Sequence, residues 1–230
     1  MSTGIRFLAT TSARMKQVAL CMLAMLFGLP ALAQQDYVNR YDFFSGYSHL
    51  SAPSVSLEQS GFDATLGVNV NRWVALGGDF SVFRGEGAIH LADSKVAPLL
   101  APFLNGQSPI IPFGATTITF AVGPQLNIRK WNKVTLFAHP DLGGIHEGAS
   151  LQVPPTLAPL LSLIPGLTPQ LSDTVLFYGA GGGFDYNASR HVGIRMSVDF
   201  VHTALFSSFL NSRNAVRVSV GPTWRWGAVK

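Results

Sequence analysis

Charged side chains recur at alternate positions in several segments of the sequence, where they are interleaved with large apolar residues. Alternate residues of a β-strand project to the same face of a sheet, so these charges would share one face. Charged groups withdrawn from water must pair or reach water, because isolated burial is costly. We therefore expect a polar network on this face, formed by Asp63, Asp79, Asp141, Asp185, Asp199, Arg195, Arg217, Arg225 and His139.

One pattern could serve catalysis. His49 and Ser51 would share a strand face, and Glu58 or Glu147 could lie nearby, which together is the residue set of a lipid-deacylating site. A His-x-Ser sequence arises easily by chance. We therefore predict that the protein is not an enzyme, and we keep a lipid-modifying activity as a minor alternative.

Metal and cofactor sites are also not predicted. His139, His146 and His191 lack the paired spacing of metal ligands. The glycine run at 179–183 has neither the Lys-Ser/Thr pair nor the following helix of a phosphate-binding loop. We expect these glycines to let strands bend or to make space beside them.

Eight segments that would carry these side chains alternate at a period of two, which is typical of strands. In the second segment Phe62, Leu66 and Val70 share one face, and Asp63 and Thr65 share the other. The first segment fits less well, because one of its aromatic residues falls on the polar face. The segments span residues 41–50, 62–71, 74–82, 117–128, 134–143, 176–186, 192–200 and 216–226.

Either a soluble barrel or an outer-membrane barrel could produce this alternation. The apolar face is large on nearly every segment, whereas the opposite face is small or polar. An eight-stranded barrel has room inside only for modest side chains, so the apolar face must point outward to lipid. The sequence thus predicts an all-β fold, an eight-stranded antiparallel up-and-down transmembrane β-barrel. If the last strand pairs with the first, Arg217 or Arg225 is expected near Asp42.

The connections support the same fold. Short polar turns after residues 70, 128 and 186 alternate with longer stretches, as in barrels with short periplasmic turns and long extracellular loops. Because this alternation begins and ends with a long connection, it places both termini in the periplasm. The predicted long connections are Ser51 to Ser60, Gly85 to Ala115, Glu147 to Ser172 and Thr203 to Arg213.

The N-terminus has the layout of a secretory signal peptide. Basic residues precede an apolar run from Val18 to Leu29, which is too short to span a bilayer as a helix, and Ala31-Leu32-Ala33 is a small-residue cleavage site. We predict cleavage after Ala33, which gives a signal peptide at 1–33 and a barrel domain at 34–230. Removing Arg6, Arg14 and Lys16 leaves 13 basic and 12 acidic residues, so no nucleic-acid partner is expected. Cys21, the sole cysteine of the sequence, would be removed with the signal peptide.

Two long connections are unusually apolar. Residues 97–104 and 158–165 both begin with Ala-Pro-Leu-Leu. Exposed apolar patches mark interaction sites, so these loops are expected to cap the barrel mouth by packing on each other, or to contact the outer leaflet, an apolar ligand or an envelope protein. The predicted cap residues are Leu99, Leu100, Phe103, Leu160, Leu161 and Ile164.

Several stretches resemble the OmpA-like outer-membrane β-barrel family. They are residues 44–48, 179–186, 189–195, 199–203 and 214–221. The resemblance covers the chain after the signal peptide and implies an eight-stranded barrel in the outer membrane. We expect a non-enzymatic, monomeric envelope protein with a structural or interaction role. The alternative is a narrow channel for ions or small solutes.

Overall fold

The computed structural model describes residues 38–90, 93–95, 97–100, 109–153, 168–208 and 210–229. They form one closed antiparallel barrel in which consecutive strands pair and β1 also pairs with β8, so the predicted fold class is confirmed. The signal peptide lies outside these residues and stays a prediction. The strands are β1 (Tyr41–Ala52), β2 (Leu57–Asn69), β3 (Val74–His90), β4 (Ile110–Ile128), β5 (Val134–Leu151), β6 (Gln170–Asn187), β7 (Val192–Thr203) and β8 (Arg213–Trp226).

The two ends of the barrel differ. At the turn end lie both ends of the described chain and the three connections 70–73, 129–133 and 188–191. Side chains close two of these turns: Asn71 Oδ1 accepts from the amides of Trp73 and Val74, and Ser189 Oγ accepts from those of His191 and Val192. Asn and Ser favour turns through such local bonds. The opposite end is the loop end.

The strands are longer than the sequence predicts. β1, β2, β7 and β8 have 12 to 14 residues, and β3 to β6 have 17 to 19, whereas a tilted membrane strand needs about 9–11. Except for Asn187 of β6, all the excess lies at the loop end. The predicted connection Ser51 to Ser60 is therefore too long, because only residues 53–56 separate β1 from β2 there. Gly85 to Ala115 and Glu147 to Ser172 shrink in the same way, to residues 91–109 and 152–169.

Large apolar side chains form a continuous outward band near the turn end, which we term the belt. Tyr47 and Phe62 bound it toward the loop end, and Trp73 and Trp226 lie at its other edge. Where β8 meets β1, Trp226 stacks on Tyr41 and Trp224 stacks on Phe43, with ring centroids 5.9 and 5.8 Å apart. Cross-strand aromatic pairs stabilise neighbouring strands, so these pairs help to close the barrel.

Beyond the belt the two faces exchange character. Outward positions become polar, as at Glu58, Arg84, Glu86 and His146, all of which are exposed. The inward positions become apolar and pack into one buried core, as in a soluble barrel. The prediction of a polar lumen therefore applies only to the level of the belt. The loop-end core includes Leu50, Leu57, Phe83, Ile111, Phe113, Ile145, Leu151, Phe177 and Val201.

The connection at 204–212 completes this core. Leu205, Phe206 and Leu210 are buried in it, and Val55 joins them from a 3₁₀ turn at Pro53–Val55. Phe206 has a positive φ of 54°, and its amide donates to Asp173 Oδ2 at 2.5 Å, which holds the turn. A helical turn, α1, spans Ala97–Leu100. Among the described residues, no helix has the length and hydropathy to cross a membrane.

The loop-end core makes a direct prediction about two adjacent residues of β3. Phe83 is fully buried in the core, while Arg84 points outward into water. Phe83→Ala should lower the free energy of unfolding by about 3–5 kcal/mol, and Arg84→Ala should change it by no more than about 0.5 kcal/mol. Urea unfolding of lipid-reconstituted protein, followed by tryptophan fluorescence, measures both. Equal losses would mean that the loop end is an open, water-filled lumen.

Candidate functional site

The belt level of the lumen holds two layers of paired charges. In the middle layer Arg217 of β8 lies at the centre and is almost fully buried. Its Nη1 donates to Asp79 Oδ1 of β3 at 2.7 Å, and its Nε donates to Asp199 Oδ2 of β7 at 2.9 Å. One guanidinium thus joins three strands. Because unpaired charge is costly to bury, this geometry gives each of the two carboxylates a charged partner.

His139 lies in the same layer, between two carboxylates. Its Nδ1 is 3.0 Å from Asp141 Oδ2, and its Nε2 is 3.3 Å from Asp199 Oδ1. Ligand atoms of the three residues lie within 4.8 Å of one another, as a metal site would require. However, both ring nitrogens face a carboxylate, and only the imidazolium has a donor on each nitrogen. The arrangement suits a cation that bridges two acids better than a metal ligand.

Asp63 completes the middle layer from β2. Its Oδ2 accepts a hydrogen bond from Ser219 Oγ at 2.7 Å, and Ser219 also bonds Ser48 Oγ at 2.8 Å. The two serines lie opposite each other on β1 and β8. This chain of hydrogen bonds carries the polar layer across the closure of the barrel.

The lower layer, nearer the turn end, is built around Arg195 of β7. Its guanidinium makes a bidentate contact with Asp185, at 2.7 and 3.0 Å, and reaches Asp42 Oδ1 at 3.3 Å. Arg225 Nη2 lies 2.8 Å from Asp185 Oδ2. Asp42 therefore pairs with Arg195 across the lumen, and not with Arg217 or Arg225 as expected, although Arg225 is its register partner on β8.

Aromatic rings and a glycine shape the space around these ions. The Arg195 guanidinium carbon lies 4.7 Å from the ring centroid of Phe137 and 5.8 Å from that of Phe44, distances at which a cation is attracted to a ring. A Cβ at Gly181 would lie 1.8 Å from Asp199 Oδ1. Gly181 thus makes the space that the Asp199 carboxylate occupies.

A third ion pair lies within the loop-end core, where the sequence predicts loops. Glu147 of β5 and Arg213 of β8 are paired and buried, and Thr117 Oγ1 donates to Glu147 Oε2 at 2.9 Å. Glu147 faces inward, so it is not the acid of a site on the outer face. This pair was not predicted, because the alternating pattern of β5 and β8 stops at the edge of the belt, before either residue is reached.

His49, Ser51 and Glu58 do meet on the outward face, just beyond the belt. Glu58 Oε2 lies 2.8 Å from His49 Nε2, and Ser51 Oγ donates to Glu58 Oε1 at 2.6 Å. The hydroxyl of Ser51 therefore bonds the carboxylate, whereas an activated serine would bond the imidazole. The second nitrogen of His49, Nδ1, faces Ser60 Oγ at 3.3 Å. These contacts tie β1 to β2.

The predicted apolar cap lies largely outside the described residues. Phe103, Leu160, Leu161 and Ile164 are not described, and of Leu99 and Leu100 only the backbone is, in α1. The cap therefore stays a prediction. The described residues of the 204–212 connection form a cover that was not predicted. Its signal was the cluster of apolar residues at Leu205, Phe206 and Leu210 between two strands.

No protein-family model matches the chain, and no curated protein matches it by sequence. The resemblance to the OmpA-like family therefore stays a prediction.

Solved structures do match. Neisserial surface protein A, NspA, is 12% identical and has a TM-score of 0.53 over 81% of this chain and 97% of its own. The outer membrane protein OprG of Pseudomonas aeruginosa is 9% identical and has a TM-score of 0.54 over 85% and 99%. Ail of Yersinia pestis is 17% identical, with a TM-score of 0.48 over 81% and 97%. NspA and OprG show that the chain has the fold of small outer-membrane barrels.

The fit between Gly181 and Asp199 can be tested with one methyl group. Gly181→Ala should force Asp199 away from Arg217 and His139 and lower the free energy of unfolding by about 1–3 kcal/mol. Gly144 of β5 is the matched control, because a Cβ there has no atom within 4 Å. Gly144→Ala should change stability by no more than about 0.5 kcal/mol. If both variants unfold at the same urea concentration, the tight packing of the ionic layer is not real.

Proposed function

We propose that the chain is an exported protein of the outer membrane, in which a closed barrel anchors and displays its loop end, with a structural or interaction role and no catalytic activity. The observation that carries the proposal is the apolar core that fills the lumen at the loop end. A lumen packed with Leu, Ile and Phe side chains around the Glu147–Arg213 ion pair is expected to exclude hydrated ions, because an ion would have to lose its water shell among apolar groups to pass.

The belt supports insertion into a membrane. It exposes large apolar side chains on every strand. In water these side chains would lose the stabilisation that burial in an apolar environment gives them. The fold of NspA and OprG supports the outer membrane as the location. We place the turn end in the periplasm and the loop end outside the cell, since outer-membrane barrels have short periplasmic turns and longer outer loops.

The loop end supports an interaction role. β3 to β6 continue past the belt with an outward surface that carries Arg84, Glu86, His90 and His146. The apolar segments 97–104 and 158–165 belong to the connections at this end. We propose that an envelope protein or an apolar ligand binds there, and that lipid contacts the belt.

A narrow channel is the second candidate. It is favoured by a cavity of about 370 Å³ that opens at the turn end and by a smaller one of about 30 Å³ among the ions of the middle layer. Neither cavity is lined by the loop-end core. A channel would therefore require that core to open.

Conductance separates the two candidates. The purified mature protein, inserted in a planar lipid bilayer, should give no discrete current steps, while a general porin in the same bilayer gives them. Folding of the inserted protein is checked by its shifted mobility on an unboiled gel. Reproducible steps from the folded protein would contradict the proposal and favour the channel. Recovery of the protein outside the outer-membrane fraction would contradict the location.

A further inference from the structure

The turn end contains a polar cavity, which we term the cup. The positively and negatively charged side chains that line it are unequal in number. The cup has a volume of about 370 Å³ and opens between the short turns and the described N-terminus. Its lining is rich in carboxamides, including Asn69, Gln125, Asn127 and Asn187. These groups bind polar ligands through directed hydrogen bonds and carry no charge. The charge of the cup is therefore set by its arginines and acids.

Among the described residues of the lining, the buried cations exceed the anions. Three buried or nearly buried guanidiniums, those of Arg129, Arg195 and Arg225, face the carboxylates of Asp42 and Asp185. Arg195 contacts both carboxylates, and Arg225 contacts Asp185. Among the buried groups the two acids are thus matched by these two arginines, and one positive charge remains; the exposed Arg190 also lines the cup.

That charge belongs to Arg129, which lies directly after β4. Its Nη2 donates to Asn69 Oδ1 at 2.7 Å, and its Nη1 donates to the carbonyl oxygen of Arg72. Both acceptors are neutral. Burial lowers the pKa of the Arg129 guanidinium to about 10, so it remains charged at neutral pH. A buried cation that bonds only neutral oxygens is costly unless a counter-ion joins it.

A second group in the lining points to the same kind of ligand. Asn127 is only 2% exposed, and its Oδ1 accepts from Gln125 Nε2 at 2.6 Å. The remaining amide group, Nδ2, has no hydrogen-bond partner among the described residues. A buried donor without an acceptor costs about 1–3 kcal/mol. An oxygen-bearing ligand would satisfy it.

We propose that the cup binds a small oxyanion, a phosphate or a carboxylate, with Arg129 as its charged ligand and Asn127 Nδ2 as a second donor. A guanidinium matches the paired oxygens of either group. The proposal is independent of any partner at the loop end, because the loop-end core separates the two.

The test is calorimetric titration of the folded, detergent-solubilised protein with sodium phosphate and, separately, with sodium citrate at low ionic strength. We expect saturable binding of one anion per barrel for at least one of the two. Binding of phosphate alone, or of citrate alone, identifies the class. Binding of neither would overturn the proposal.

Two variants and one control locate the site. Arg129→Gln should weaken binding about tenfold or more, because it removes a charged hydrogen bond, while Arg84→Gln, outside the barrel beyond the belt, should bind like the unaltered protein. Asn127→Asp adds a negative charge to the same lining, two residues from Arg129, so it should fold and yet lose binding. This variant keeps the test decisive even if Arg129→Gln fails to fold. Unchanged affinity in Asn127→Asp, or equal affinity in Arg129→Gln and Arg84→Gln, would overturn the proposal.

Discussion

Where the hydrocarbon of the membrane ends, the outward side chains of each strand must change from apolar to polar and the inward side chains from polar to apolar. This requirement determines the organisation of the whole barrel. In lipid, apolar side chains such as Phe80 must point outward, so the narrow lumen can hold only small or polar groups. In water the ordinary rule returns, and Phe83, three residues later on the same strand, points inward. We therefore propose that the barrel is built as a membrane barrel over one part of its height and as a soluble β-barrel over the other.

The ionic layers follow from the same constraint. Charges enclosed in a narrow lumen are costly unless they satisfy one another. Arg217 and Arg195 do this by reaching across to strands that are not their neighbours, β3 and β1. Glycines on neighbouring strands leave room for the carboxylates, since a Cβ at Gly181 would clash with Asp199 and one at Gly67 with Asp42. Long arginines, short aspartates and glycines thus form one packing solution.

The fold could be predicted because the belt repeats the same period-two pattern on eight strands. The same pattern does not predict the loop-end extension of the strands. Where the belt ends, the apolar residues shift from the outward to the inward positions, so the regular alternation is interrupted. The change leaves a signal, a pair of adjacent large apolar residues, as at Val82-Phe83, Leu176-Phe177 and Phe200-Val201. The same pattern predicts which charged side chains point into the lumen, but it does not predict which of them pair with each other. Asp42 bonds Arg195, 153 positions away, because the circumference of the closed barrel brings them together.

The exchange of faces along β3 is the central claim, and a spin-label scan from Val74 to His90 tests it most directly. The predicted mature chain has no cysteine, so single cysteines can be introduced without a competing thiol, and Gly85 is left out because a Cβ there would lie 2.0 Å from the Glu58 carbonyl oxygen. With the protein in lipid vesicles, even-numbered positions up to Val82 should be accessible to oxygen dissolved in the lipid, and those from Arg84 onward to a water-soluble nickel chelate. Odd-numbered positions should be shielded from both reagents. Access of the chelate to Phe83 and Ile89 would contradict the account, since it would show that the loop-end lumen is open to water.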